Sequence, residues 1–348
     1  MARLSTATVR RLAAECGFEL AGVTPAEPLP DGLWYRDWVE RGLAGEMRYL
    51  AGRRARVRLD PKELLSSARS VICVGKLYNS PSPSSAQDGW ISRYAWGTDY
   101  HQVLRDGLRA LVEKLGAHAE ERFDAKICVD TAPLLERSYA RMAGLGWIGK
   151  NTCLIHQGKG SWFFLGEALT SLEVELDTPP PDRCGSCTRC IDACPTAAIV
   201  PRDGPDGPQW ELDAHICISY LTIELRGTIP VDLRPGIGRH VFGCDICQDV
   251  CPWNRKAPVE ARGDFAPLEK VRDLDGMAAL SEEEFETAYG STPVSRARYR
   301  GFLRNVAVAM GNSRKGKFRC ALERLASLAD AEVAEHAAWA LSQLGQAE

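Results

Sequence analysis

Eight cysteines between Cys184 and Cys251 constrain this chain more than any other feature. The first run, Cys184-Gly-Ser-Cys187-Thr-Arg-Cys190-Ile-Asp-Ala-Cys194-Pro195, has the C-x₂-C-x₂-C-x₃-C-P spacing of bacterial ferredoxins. Tight turns aim three thiolates at one 4Fe–4S cube, and the fourth cysteine, a helical turn further on, reaches a neighbouring cube. The second run, Cys244-Asp-Ile-Cys247-Gln-Asp-Val-Cys251-Pro252, repeats the pattern without its first cysteine, and Cys217 is the remaining cysteine of the region. Two cubes take eight thiolates. The crossed rule assigns Cys184, Cys187, Cys190 and Cys251 to one cluster, and Cys194, Cys217, Cys244 and Cys247 to the other. Structural zinc also uses paired C-x₂-C motifs, but its closed four-ligand sites have no use for a repeated x₃-C-P extension.

A loop-rich segment of this kind is held by metal rather than by apolar burial. The rest of the 348 residues is long enough for further domains at roughly 150 residues each. Disulfides are not expected in a chain of this size with no visible export leader. Arg10-Arg11 is followed by Glu15 and Glu19 where an apolar h-region would stand, so an amphipathic first helix closing at Gly17 is expected. No run of 18 apolar residues occurs, which argues against a membrane span and for a cytoplasmic location with reduced thiols. Cys16, Cys73, Cys128, Cys153 and Cys320 then read as ordinary buried thiols.

Composition divides the chain at about 175 and 258. Residues 1–175 mix helical periodicity with apolar runs, Val71-Ile72-Cys73-Val74 and Lys126-Ile127-Cys128-Val129, which predicts an α/β or α+β domain. The Pro/Ser tract at 80–85 reads as a loop and residues 178–181 as a stiff linker. Residues 176–258 carry the cysteines. Residues 259–348 turn helical, with Leu303, Val306 and Ala307 on one face and two closing helices around 317–328 and 331–344 that resemble a HEAT-type pair.

Several motifs invite chemistry. Gly144-Leu-Gly146-Trp-Ile-Gly149-Lys150 matches a dinucleotide fingerprint and a phosphate loop by letter, yet it follows a helical stretch and Asn151 stands where Ser or Thr is needed. Asp99-Tyr100-His101-Gln-Val-Leu104 resembles the D-x-H-x-x-G signature of cobalamin proteins that ligate cobalt through histidine, but Leu104 replaces the glycine, so Asp99 reads as a helix cap and His101 is rejected as a ligand. Asp130 ends an apolar run and precedes Pro133, which suits the first turn of a helix. A carboxyl at that place, half-buried with a raised pKa, suits a proton donor, although a plain capping role fits the position equally. Glu136 and Arg137 read as neighbours on a solvated face.

The formal charge is −3, but it is an average. Residues 296–319 carry Arg296, Arg298, Arg300, Arg304, Arg314, Lys315, Lys317 and Arg319 with no acid among them. Tyr299 and Phe302 interleave as stacking surfaces, so this stretch is expected to bind a nucleic-acid backbone. Arg48, Arg53, Arg54, Arg56 and Arg58 form a second basic stretch.

Taken together, the eight-cysteine pattern resembles the epoxyqueuosine reductase family. So do Arg93-Tyr-Ala-Trp-Gly-Thr-Asp99-Tyr-His101, Val129-Asp130-Thr-Ala-Pro-Leu-Leu-Glu136-Arg137, Gly144 through Asn151, Cys217-Ile-Ser-Tyr-Leu-Thr-Ile-Glu224 and Cys251-Pro-Trp-Asn254. The resemblance implies an α+β multidomain protein with a nitroreductase-like α/β cobalamin-binding domain, a two-cluster ferredoxin-like module and a HEAT-like helical domain. It implies reduction of epoxyqueuosine at the tRNA anticodon wobble position, with Asp130 as proton donor, cobalamin and two 4Fe–4S clusters as cofactors, and an external electron donor. The matching cofactor surroundings are Arg58, Asp130, Lys150, Asn151, Leu154, Ser219 and Tyr220, and a monomer is expected. A reductive dehalogenase-like reductase of a small molecule and an electron-transfer ferredoxin subunit are the competing readings.

Overall fold

A computed structural model describes residues 4–81, 88–119, 121–204, 209–268 and 273–345. Residues 82–85 of the expected Pro/Ser loop lie outside them. Helix α1 (Thr6–Glu15) starts where the Ser5 hydroxyl accepts the N–H of Thr8. It ends before Gly17, whose φ of 93° suits a residue without Cβ. One four-stranded sheet follows, with β1 (Leu20–Pro25), β2 (Ser70–Leu77), β7 (Phe163–Thr170) and β4 (Ala125–Cys128) side by side in that order. Each neighbouring pair is antiparallel. This is an α+β arrangement.

All eight residues of β2 are buried, which explains its continuous apolar run. Such runs usually mark parallel strands; here, helices cover both faces of an antiparallel sheet. Ile72 and Val74 pack on Leu104, Leu108 and Leu111 of α4 (Tyr100–His118) and on α1. Val71 and Cys73 point the other way, onto Tyr139 and Ala140 of α5 (Glu136–Met142). The helix predicted after Asp130 thus begins at Glu136, three residues beyond Pro133. The glycine-rich motif is a hairpin of β5 (Trp147–Ile148) and β6 (Leu154–Ile155), neither a dinucleotide fingerprint nor a phosphate loop. Helices α2 (Asp31–Glu40) and α3 (Gly52–Val57) lie between β1 and β2 in the chain.

The cysteine segment contains two short packed turns, α6 (Arg189–Asp192) and α9 (Ile246–Asp249). Between them come the hairpin of β8 (Ile199–Arg202) and β9 (Gln209–Leu212), then α7 (Ile218–Ile223), α8 (Arg234–Ile237) and β10 (His240–Phe242). Strand β10 pairs in parallel with β3 (Trp90–Ile91) of the first region. The last region holds α10 (Leu274–Ala279), α11 (Glu282–Tyr289), α12 (Arg298–Ser313), α13 (Arg319–Ala326) and α14 (Ala331–Leu344). Leu303, Val306 and Ala307 are buried on α12 as predicted. The acidic run Glu282-Glu283-Glu284 forms the first turn of α11, where a capping box between Ser281 and Glu284 and the helix dipole favour it. The compositional regions share core: one apolar cluster joins Ile91 and Trp96, Val241 and Phe242, and Phe285 and Phe302. No helix among the described residues is long and apolar enough to cross a membrane.

Three expectations are corrected here. Arg304 is 1% exposed and is no phosphate ligand; its guanidinium donates to the carbonyls of Leu221, Leu225 and Gly227 and pairs with Glu332. Phe302 is buried with it, and the Tyr299 hydroxyl donates to the Leu280 carbonyl, so neither is offered for stacking. Cys320 is exposed rather than buried. Arg304→Ala strands several carbonyls and Glu332 in the interior. It should lower unfolding free energy by about 3–5 kcal/mol in denaturant titrations, whereas Arg298→Ala, on the exposed start of α12, should leave the midpoint nearly unchanged.

Candidate active site

A cavity of about 770 Å³ opens where α2, the 130–138 segment, the β8–β9 hairpin and the start of α12 meet. The hairpin is clasped to α2. Trp38 donates its indole N–H to the Leu212 carbonyl at 2.7 Å, and Arg41 forks onto Glu211 at 2.8 and 2.7 Å. The Arg202 guanidinium lies 4.0 Å over the Trp34 ring. Apolar faces of Trp34, Tyr35, Trp38, Leu134 and Ile148 line the interior, with Arg54, Arg58, Asp130 and Arg296 among them. Arg58 is buried and donates to the Tyr49 carbonyl.

Asp130 leaves β4 with a φ of 49°, a left-handed conformation Asp tolerates better than most residues. Side-chain bonds hold it in place. Its N–H donates to Glu136 Oε1 at 2.6 Å. Its Oδ2 meets His101 Nε2 at 3.2 Å, while Nδ1 of the same ring meets Asp99 Oδ1 at 2.7 Å. Asp99 caps α4 as predicted, accepting the N–H of His101. Arg296 approaches the same carboxylate at 3.8 Å, pairs with Glu224 at 2.6 Å and lies over the Tyr49 ring.

These neighbours correct the expectation of a raised pKa. Burial pushes the Asp130 carboxyl up, but His101, by hydrogen bond and charge, and Arg296 outweigh it and hold the group below its ordinary value. The hydrogen bonds to Asp130 and then Asp99 push His101 up to about 9. At neutral pH the proton of the pair therefore rests on the imidazole. Glu136 is not on a solvated face: burial, then the Asp130 charge, pushes it up to about 7. Arg137 is exposed and donates to the Thr152 carbonyl.

The cysteines of the two runs lie near one another. Cys190 faces Cys184, Cys187 and Cys251. Cys244 faces Cys217 and Cys194, and Cys247 faces Cys244 and Cys217. Cys153, expected as an unremarkable thiol, lies against Cys247. Of the predicted cofactor residues, only Arg58 and Asp130 reach the cavity. Lys150 instead donates to the carbonyls of Gly185 and Cys187, and Asn151 to that of Cys247, bracing both cysteine runs. Leu154 is core, and Ser219 and Tyr220 sit beside Cys217, with the Tyr220 hydroxyl accepting the Glu46 N–H.

The basic residues also separate. Arg296 belongs to the cavity. Lys315 and Lys317 both hold Asp88, and Arg300 holds Asp330 and Glu332. Arg298, Arg314 and Arg319 are exposed. His101 and Arg296 were missed as partners of Asp130 because no local motif announces a contact across 29 or 166 positions, and Glu136, six positions on, was read as facing solvent.

Residues 58–131 match the family described as epoxyqueuosine reductase QueG, DUF1730, and residues 183–254 match a 4Fe-4S double cluster binding domain. The epoxyqueuosine reductase of Xanthomonas campestris pv. campestris is 42% identical, with 98% of this chain and 96% of that protein covered. A crystal structure of an epoxyqueuosine reductase with a tRNA-Tyr epoxyqueuosine-modified stem loop superposes with a TM-score of 0.86 at 29% identity, covering 97% of this chain and 90% of that one. The Streptococcus thermophilus epoxyqueuosine reductase superposes with a TM-score of 0.85 at 30% identity, covering 98% and 90%.

The raised His101 value sets a pH window. Its ion pairs contribute fully to stability below the ordinary histidine value of 6.5 and are lost as pH rises through about 9. His101→Gln should therefore flatten the decline of melting temperature between pH 7 and 9, and in Asp130→Asn the imidazole should titrate lower by NMR.

Proposed function

Because this chain belongs to the epoxyqueuosine reductase family, we propose that it reduces epoxyqueuosine to queuosine at the wobble position of tRNA anticodons. It does so with two 4Fe–4S clusters, cobalamin and Asp130 as the proton donor. The observation that carries this reading is the cavity itself, which places the proton-holding Asp130–His101 pair beside a double-cluster module. Cys184, Cys187, Cys190 and Cys251 hold one cluster; Cys194, Cys217, Cys244 and Cys247 hold the other.

The cavity suits cobalamin in kind. Flat faces of Trp34, Tyr35 and Trp38 accept a broad macrocycle, and Arg54, Arg58 and Thr131 offer polar partners to its amide arms. Both His101 nitrogens are engaged by carboxylates, so neither would be free to ligate cobalt. Bound there, the cofactor supplies the strongly reducing electrons that reach it through the clusters from an external donor.

Converting an epoxide to an alkene consumes two electrons and two protons and releases one water. Asp130 relays to the departing oxygen the proton that the His101 imidazolium holds against it, and the second proton is taken up from solvent through the same pair. Arg296 steadies the carboxylate after transfer. Exposed Arg298, Arg314 and Arg319, with Arg300, Lys315, Lys317 and the arginines near Arg53, meet the anticodon backbone. In this reading the sheet region is the nitroreductase-like catalytic domain, α12–α14 form the HEAT-like part, and the protein works as a cytoplasmic monomer. A small-molecule reductase or an electron-transfer subunit does not explain similarity to epoxyqueuosine reductases along nearly the whole chain.

Anaerobic preparations should carry about eight irons and about one cobalt per chain. Asp130→Asn should keep both metals and tRNA affinity yet lose at least about 100-fold in turnover, read by mass spectrometry of epoxyqueuosine-bearing tRNA; near wild-type turnover would remove Asp130 from the acid role. Reversing Arg298, Arg314 and Arg319 to Glu should reduce the slope of log affinity against log salt by about 0.7–0.9 per lost phosphate contact, and an unchanged slope would clear this surface of backbone binding.

A further inference from the structure

Beneath Asp130 lies a carboxyl group that the chemistry above does not use. Glu167 sits in the middle of β7 with no solvent exposure. Cys73 of β2 and Cys128 of β4 flank it across the sheet, both buried. Neither of its oxygens meets a donor among the described residues. The group within hydrogen-bond reach is another carboxyl, that of Glu136, which in turn accepts the Asp130 N–H at 2.6 Å.

Two carboxylates have no hydrogen to place between them, so Glu167 stays orphaned unless one of the pair is protonated. With a proton on Glu167, its O–H donates to Glu136, and Glu136 keeps an oxygen for the Asp130 amide. We propose that Glu136 is a positioning residue for Asp130, and that one proton shared with Glu167 locks Glu136 in that role. The proposal rests on the reading of Asp130 as the proton donor.

The surroundings favour one shared proton. The charged neighbours of Glu167 are Glu136 and Asp130, both acids. Arg137 and Arg58 lie near Glu136 on its cavity side and favour the ionised form of that member. Cys73 and Cys128 are held in the thiol form by burial, so they add no charge. Burial pushes Glu167 well above the usual carboxyl range and Glu136 up to about 7. The sign follows: the singly protonated pair forms as Glu136 ionises near 7 and is lost only when pH rises through the higher value of Glu167. Glu136 then still has an oxygen for the amide of Asp130, whose φ is 49°, but no longer has the Glu167 O–H that fixes its orientation.

Hydrogen–deuterium exchange of the cofactor-loaded enzyme reads this without turnover. Glu136→Ala should lower the protection factor of the Asp130 amide about tenfold, and Glu136→Gln, which keeps an acceptor oxygen, should restore most of it. In the wild type, protection should hold through neutral pH and fall at higher pH, as Glu167 ionises. Glu167→Gln, whose amide donates at every pH, should abolish that fall. Turnover should follow, with kcat down about tenfold in Glu136→Ala, KM for tRNA within about twofold, and recovery in Glu136→Gln. Unchanged Asp130 protection in Glu136→Ala, or a wild-type pH dependence in Glu167→Gln, overturns the proposal. If Glu136→Ala does not fold, the Glu167→Gln exchange profile alone decides. An active Asp130→Asn enzyme would instead sink the acid reading, on which the exchange result does not depend.

Discussion

A single buried guanidinium determines how the last third of the chain meets the rest. Arg304 enters the interior from α12 and donates to carbonyls at the end of α7 and just beyond it, while Glu332 at the start of α14 balances its charge. An unpaired charge at that depth would be strongly unfavourable, so α7, α12 and α14 have one mutual arrangement that satisfies it. Asn305 adds to the restriction by donating to the carbonyls of Thr222 and Val241. With α12 fixed in rotation and height, Arg296 just ahead of it arrives at Asp130. A cation counted from sequence as part of an outer surface thereby becomes a wall of the reaction cavity.

Three acids within one small volume take three different states there. Asp130 faces two cations and ionises readily, whereas Glu136 is raised by burial and the Asp130 charge, and Glu167 by burial and by Glu136. Residue type says nothing of this. The difference arises because His101 and Arg296 reach only the outermost carboxylate, and the sheet interior offers no cation to the innermost.

Features that depend on neighbours in the chain were legible in the sequence. The cysteine spacing predicted a compact thiol-rich region, and Cys190 and Cys251, far apart along the chain, do lie near each other. The Asp99 cap and the buried face of α12 were equally readable. Strand order was not, because the apolar run of β2 is compatible with either strand direction once both faces are covered. The partners of Asp130 were hidden for the same reason. His101 had been assessed only as a metal ligand, and Glu136 only as a surface residue, since the contacts that redefine them cross from one element to another. Charge density misled at Arg304, where eight like charges in one stretch suggested a uniform surface.

The position of Asp130 in the sheet has a further implication. Strand β4 is the last of its row, bonded to β7 alone, only four residues long and exposed over its first half. The acid therefore hangs from the member of the sheet with the fewest bonds to break. Elements at a sheet margin open locally at free energies far below that of global unfolding. The segment that carries Asp130 can thus give way without disturbing β2, which is paired on both sides and buried throughout. Rigidity is concentrated in the middle of the sheet and compliance at the edge from which Asp130 extends.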